Sequence, residues 1–195
     1  MKFFVIFVYI HSLIYYIKDN LLKKSKKHQG VSYDMNVIPA TKKDLESVLK
    51  IYQNARGFMK HTGNPDQWAD TYPPEALVRS DIDGGALYLL TENDVICGVF
   101  AFFKDGDPIY DTIDGKWLND LPHGAIHRVA SAGVAKGVLR TIVEYCLTQV
   151  NNLKIDTYCD NKIMQAALEK NGFVCCGKVN VNDVGDFYAY QLYKG

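Results

Sequence analysis

Between Ala125 and Lys178 the apolar and polar positions change period five times, and the changes predict strand, turn, helix, strand, helix, strand. Ala125–Ser131 is a short apolar-rich strand broken by Ala132-Gly133. From Val134 onward Val138, Ile142, Cys146 and Val150 recur at a spacing of four, as do Leu139 and Val143, which is a helical period. Asn151-Asn152 turns the chain into a second strand, Leu153–Tyr158. Asn161 opens another helix with Ile163, Met164, Ala167 and Leu168 on one face and Asn171-Gly172 as its stop, and Phe173–Cys176 begins a third strand.

The flanking chain is read the same way. Val37–Pro39 starts a strand, and Thr41 with Asp44 forms a T-x-x-D cap for a helix whose stripe is Leu45, Val48, Leu49, Tyr52, Ala55 and Met59. A turn-rich loop, HTGNPDQWADTYPPE, carries Trp68 and Tyr72; Pro73-Pro74 then open a second helix through Asp81, ended by Gly84-Gly85. Ala86–Thr91 and Val95–Phe103 form a hairpin turned at Glu92-Asn93-Asp94, with Gly98 marking a bulge or a close backbone approach. Lys104–Gly124 is polar and turn-rich, and its Asp107, Tyr110, Asp111 and Trp117 are either ligand contacts or a solvated connection with aromatic anchors. Gly185–Tyr193 is the last strand.

Residues 1–34 have a different composition. Phe3–Ile17 is apolar and aromatic, interrupted only by His11 and Ser12, and at fifteen residues it falls short of the roughly 20 that cross a bilayer. No small-residue cleavage site follows. Lys23, Lys24, Lys26 and Lys27 would keep a membrane-associated segment on the cytoplasmic side. The alternative is that Met35 is the physiological start and that residues 1–34, dominated by Phe, Ile, Tyr, Lys and Asn, reflect A/T-rich upstream DNA. The expectation is a non-domain extension, 1–34, and one domain, 35–195, large enough for its own core.

The formal charge is zero, but the six lysines and two aspartates of residues 1–34 leave −4 on the rest. A mildly acidic domain argues against nucleic acid as a general partner and permits a cationic ligand such as an amine. The five cysteines, 97, 146, 159, 175 and 176, are odd in number and contain no C-x-x-C, which fits free thiols in a reducing cytoplasm and argues against a metal site. The glycine-bearing turn into a helix is a natural anion site, because the first helical turn has unpaired N–H groups at the positive end of the helix dipole. Its donors would come from about Gly133 to Leu139, with Lys136 adding charge. A plain strand-to-helix connection has the same sequence; no G-K-[ST] or G-x-G-x-x-G is present.

These residues resemble the GNAT superfamily of acyl-CoA-dependent N-acetyltransferases. That family follows a Q/R-x-x-G-x-G/A loop with a strand and then a helix of pattern N-x-x-[AM]-x-x-x-[YL]-x-K-x-G-F, supplied here by Asn161, Met164, Leu168, Lys170, Gly172 and Phe173. The loop match is partial: Gly137 fits, Val134 stands where Gln or Arg is usual, and Leu139 replaces the second small residue. The string IHRVAS…KGV…IDTYCDNKIM…KNGF is similar to one bacterial branch with unknown acceptors, and the similarity spans most of residues 35–195. It implies an α+β fold: a mixed, largely antiparallel sheet of about six or seven strands with helices on both faces, in three α/β/α layers.

The resemblance further implies transfer of an acetyl group from acetyl-CoA to a small-molecule or peptide amine, with no metal and no covalent enzyme intermediate. Val129, Ser131, Gly133, Val134, Lys136, Gly137, Val138, Leu139, Asn161 and Met164 would hold the coenzyme between the splayed strands 125–131 and 153–158. Trp68, Tyr72 and Asp156 would face the acceptor. His127 is the candidate base, since an unperturbed imidazole titrates near neutrality; Asp156, Asp160 or a water chain are alternatives, and strand alternation leaves the face of His127 open. Relatives carry a thiolate-protonating tyrosine where Leu168 stands, so Tyr158, or Tyr190, is a candidate acid. Asn161 is equally an ordinary helix cap. A non-catalytic acyl-CoA sensor and a membrane-tethered adaptor are the other classes of function; a homodimer is compatible with all three.

Overall fold

The computed structural model describes residues 35–181 and 185–195. The expectations for residues 1–34 fall outside the described residues. The elements run β1 (Asn36–Pro39), α1 (Leu45–His61), α2 (Glu75–Asp83), β2 (Leu87–Glu92), β3 (Val95–Phe103), β4 (Asp114–Gly115), β5 (Gly124–Ser131), α3 (Val138–Leu147), β6 (Asn152–Tyr158), α4 (Lys162–Lys170), β7 (Val174–Asn180) and β8 (Asp186–Tyr193). The strands form one sheet in the order β1-β2-β3-β5-β6-β8-β7-β4. Every neighbouring pair is antiparallel except β5 and β6. Among the described residues that gives eight strands, where about six or seven are expected. The additional one is β4, two residues inside the Lys104–Gly124 connection that pair with Lys178 and Gly177, too short to leave a periodic signal.

The period-two pattern of the strands sends alternate residues into two different cores. On one face Val138, Ile142 and Cys146 of α3 and Leu168 of α4 pack on Phe100, Ile126, Leu153 and Ile155. On the other, Val48 and Tyr52 of α1 and Val78 and Ile82 of α2 cover Leu87, Leu89, Val99 and Ala101. The rest of that second face is covered by the β3–β5 connection, through Tyr110 and Trp117 against Ala125, Phe187 and Ala189. The Asp44 carboxylate accepts from the Thr41 backbone N–H and hydroxyl at 2.8 and 2.7 Å, so the predicted cap forms.

One boundary moves. The apolar period suggested a helix from Val134, but α3 starts at Val138, because Gly137 has a φ of +80° that helical hydrogen bonding cannot continue through.

Candidate active site

The parallel pair β5–β6 is the discontinuity of the sheet. The strands are in register only at Gly124↔Leu153 and Ala125↔Lys154, and beyond those two positions they part. The cleft so formed opens beside the segment leading to α3. Gly137 is the N-cap in a left-handed conformation, and among the described residues no side chain caps the helix, which leaves its first amides for an external acceptor. Gly98 of β3 lets this terminus sit low on the sheet: a Cβ there would lie 2.9 Å from Val138 Cγ1 and 3.0 Å from the Ala130 carbonyl oxygen. Both readings of Gly98 hold, since the register with β2 also shifts beside it, after Leu90.

The coenzyme-binding candidates surround this terminus. Gly133, Val134, Lys136 and Gly137 are exposed, Leu139 is half-buried and Val138 is buried. Ser131 is exposed and its Oγ accepts from the Gly133 N–H at 3.1 Å. Arg140, which belongs to no motif of the sequence, places its guanidinium beside Gly137; a Cβ on that glycine would be 3.6 Å from Nη2.

Strand β5 carries a second irregularity. Val99 pairs with Ala130 and Ala101 with His127, so Arg128 and Val129 together stand opposite Phe100. Arg128 has a φ of +53°, which an L-residue adopts at a cost. Its guanidinium is held by Asp81 of α2, with Nε donating to Oδ2 at 2.8 Å and Nη2 to Oδ1 at 2.9 Å, and its carbonyl accepts from the Tyr52 hydroxyl at 3.1 Å. Burial pushes the Asp81 carboxyl up, against the pull of Arg128. Val78, Asp81 and Ile82 are the buried residues of α2, so an acid on an apolar stripe was the signal available for this pair.

Next to the bulge, His127 lies in an acidic and aromatic pocket. Its ring stacks on Tyr110, centroids 5.6 Å apart at 6°, and meets Phe103 edge-on at 5.7 Å. Nε2 lies 3.2 Å from Asp107 Oδ2, out of line for a hydrogen bond, and Nδ1 is 3.8 Å from Asp156 Oδ1. Asp156 Oδ1 also accepts from the Tyr110 hydroxyl at 2.6 Å. The two carboxylates differ. Burial holds Asp156 above the usual carboxylate range, whereas the contact with His127 holds Asp107 below it. Burial, with the Asp156 charge, drives the Tyr110 phenol far up, so it stays a hydrogen-bond donor. Tyr110 and Trp117 are thus interior supports, while the Asp107 side chain remains one-third exposed.

The remaining candidates separate. Trp68 is buried, edge-on to Tyr52 at 5.6 Å, so it packs over the domain; Tyr72, 6.2 Å away, is 37% exposed. The Tyr158 ring meets Phe187 at 5.3 Å and shares the cluster of Tyr110 and Trp117. Leu168 is fully buried in the α3-side core, and Tyr190 is buried in that core with it. Asn161 caps α4, its Oδ1 accepting from the Met164 N–H at 3.1 Å, and its Nδ2 donates to Gln67 Oε1 at 2.8 Å. Val129 and Met164 pack against the α3-side core.

No family model and no curated protein matched the sequence. Solved structures did. An acetyltransferase of the GNAT family from Streptococcus agalactiae 2603 superposes with a TM-score of 0.75 at 28% identity, covering 83% of this chain and 96% of that one. The domain has the GNAT acetyltransferase fold. A second neighbour, a putative acetyltransferase from Staphylococcus aureus MU50, has a TM-score of 0.60 at 27% identity, over 80% of this chain and 97% of its own. An aminoglycoside acetyltransferase solved in complex with coenzyme A has the same fold, with a TM-score of 0.58 at 18% identity over 83% and 95% of the two chains. The three-layer GNAT architecture implied by the sequence is therefore the observed one, and these neighbours support acetyl transfer as its general chemistry. Among the described residues no helix is long and apolar enough to cross a membrane.

Proposed function

We propose that residues 35–195 transfer an acetyl group from acetyl-CoA to a primary amine by direct attack. The reading is carried by one observation: β5 and β6 part after two paired positions, beside a helix N-terminus with no side-chain cap. The residues present suit an acidic nucleotide thioester. Amides of Val138 and Leu139, with the exposed Lys136 and Arg140, would hold a pyrophosphate; Val129, Leu139 and Met164 offer apolar contact, and Asn161 a side-chain amide. Acetyl-CoA, when bound, supplies the activated acyl group.

The chain's own residues would do the rest. Backbone N–H groups around Val129 and Ser131 would stabilise charge on the acyl oxygen. His127 would take the amine's proton, and Asp107 and Asp156 would orient the imidazole and stabilise its charged form. Tyr72, exposed beside Trp68, and Asp107, one-third exposed beside His127, would meet a cationic acceptor. Tyr158 is kept as the candidate for protonating the departing thiolate. The same reading places the protein in the cytoplasm, with residues 1–34 outside the catalytic unit.

The test is thiol release from acetyl-CoA by the full chain, and by the chain from Met35, against a panel of primary amines. Acceptor-dependent thiol release is expected. Coenzyme A binding without thiol release for any amine would replace an enzyme by an acyl-CoA sensor.

A further inference from the structure

The GNAT reading assigns His127 and the strand amides beyond it, but not what sets them on their faces of the sheet. In a regular strand residues 127 and 129 would share a face. Here His127 meets Phe103 and Tyr110 on the α1–α2 side, whereas Val129 packs on the α3 side. The bulge at Arg128 produces this change of phase, and it also keeps the guanidinium out of the apolar core beneath α3.

The geometry points to Arg128 as a positioning residue. Its left-handed backbone, held by the bidentate Asp81 pair and by the Tyr52 hydroxyl on its carbonyl, sets His127 on the α1–α2 face, which the acetyl-transfer reading gives to the acceptor. This rests on the acetyl-transfer reading for its consequence, but not for its geometry. A charged pair this buried is poor value as a stabiliser, since apolar residues of like volume commonly replace such pairs without loss. Its distinctive contribution is to fix a backbone conformation that other L-residues resist.

Two double variants separate backbone from charge: Asp81→Leu with Arg128→Gly, and Asp81→Leu with Arg128→Ala. Both remove the ion pair; only glycine accepts a positive φ freely. The glycine double should turn over at least tenfold faster than the alanine double, the difference lying in kcat with KM for acetyl-CoA within about twofold. The His127 ring resonances in NMR should match wild type in the glycine double and shift in the alanine double. Equal kcat and equal His127 spectra in two folded doubles would overturn the proposal. So would a glycine double that is folded, inactive and shifted, since Arg128 would then act through its charge. If wild type releases no thiol with any amine, acetyl transfer falls, and the His127 spectra alone decide the positioning role. Should the alanine double not fold, the Asp81→Asn single, which keeps the shape and loses the charge, must show the same kcat loss and spectral shift or the assignment fails.

Discussion

Asn161 and Gln67, 94 positions apart, share a hydrogen bond in which Asn161 Nδ2 donates to Gln67 Oε1 at 2.8 Å. The same Gln67 oxygen accepts from the buried Asn64, and Asn161 Oδ1 caps α4. One side chain thus finishes a helix and ties it to the α1–α2 connection, which also carries Trp68 and Tyr72.

The two tasks of Asn161 can be separated. Asn161→Ala should lower stability by about 1 kcal/mol through the lost cap, and further through the lost tie. Asn161→Asp keeps the capping oxygen and lacks the donor, so it should fall between the two in urea unfolding. An alanine variant as stable as wild type would show that neither bond contributes.

Burial raises Asp156, and this fixes a sign. With the folded pKa above the unfolded one, near 3.9, its contribution to stability is complete below about pH 4 and is lost as pH rises through the folded value. Asp107, depressed by His127, works oppositely: its contribution is present above the unfolded pKa and lost as pH falls through the folded one. Asp156→Asn should therefore melt higher than wild type at neutral pH, with the advantage shrinking toward pH 4. Melting curves across that range check this; a constant difference would contradict the burial argument.

Gly98→Ala inserts a methyl 2.9 Å from Val138 Cγ1 and 3.0 Å from a backbone carbonyl. Overpacking of this kind costs about 1–3 kcal/mol. The expected readout is a lower unfolding midpoint together with weaker coenzyme A affinity, because the helix terminus is displaced.

Gly137→Asp puts an acid and a Cβ where φ is +80° beside the uncapped amides of α3. Coenzyme A affinity by calorimetry should fall more than about tenfold by like-charge repulsion, with the protein still folded. Unchanged affinity would remove the pyrophosphate from this terminus.

His127→Ala should reduce turnover by about 10²–10⁴-fold if the imidazole takes the proton. An acceptor amine with a pKa well below about 7 is needed, so that its own protonation does not imitate the enzyme's pH limb. Loss of turnover together with the limb supports the base. A folded variant with both intact would make His127 structural and favour a water relay.

How the sequence yielded what it did follows from the range of each interaction. Strand and helix periods, the Thr41–Asp44 cap, the Asn93-Asp94 turn with its positive φ values and the Asn161 cap rest on residues within a few positions of one another, so local pattern was enough to order the elements. The α/β/α layering came with the resemblance, through Asn161 to Phe173. Tertiary structure alone decided which way His127 faces. The alternation rule fails at Arg128, and the residues that hold the bulge, Asp81 and Tyr52, lie 47 and 76 positions upstream, on helices that meet β5 only in the folded chain. The pairing of Asp107 with His127, the hydrogen bond of Tyr110 to Asp156 and the reach of Gln67 to Asn161 are likewise made by connections without period, which side-chain packing, rather than backbone repeat, brings to the sheet.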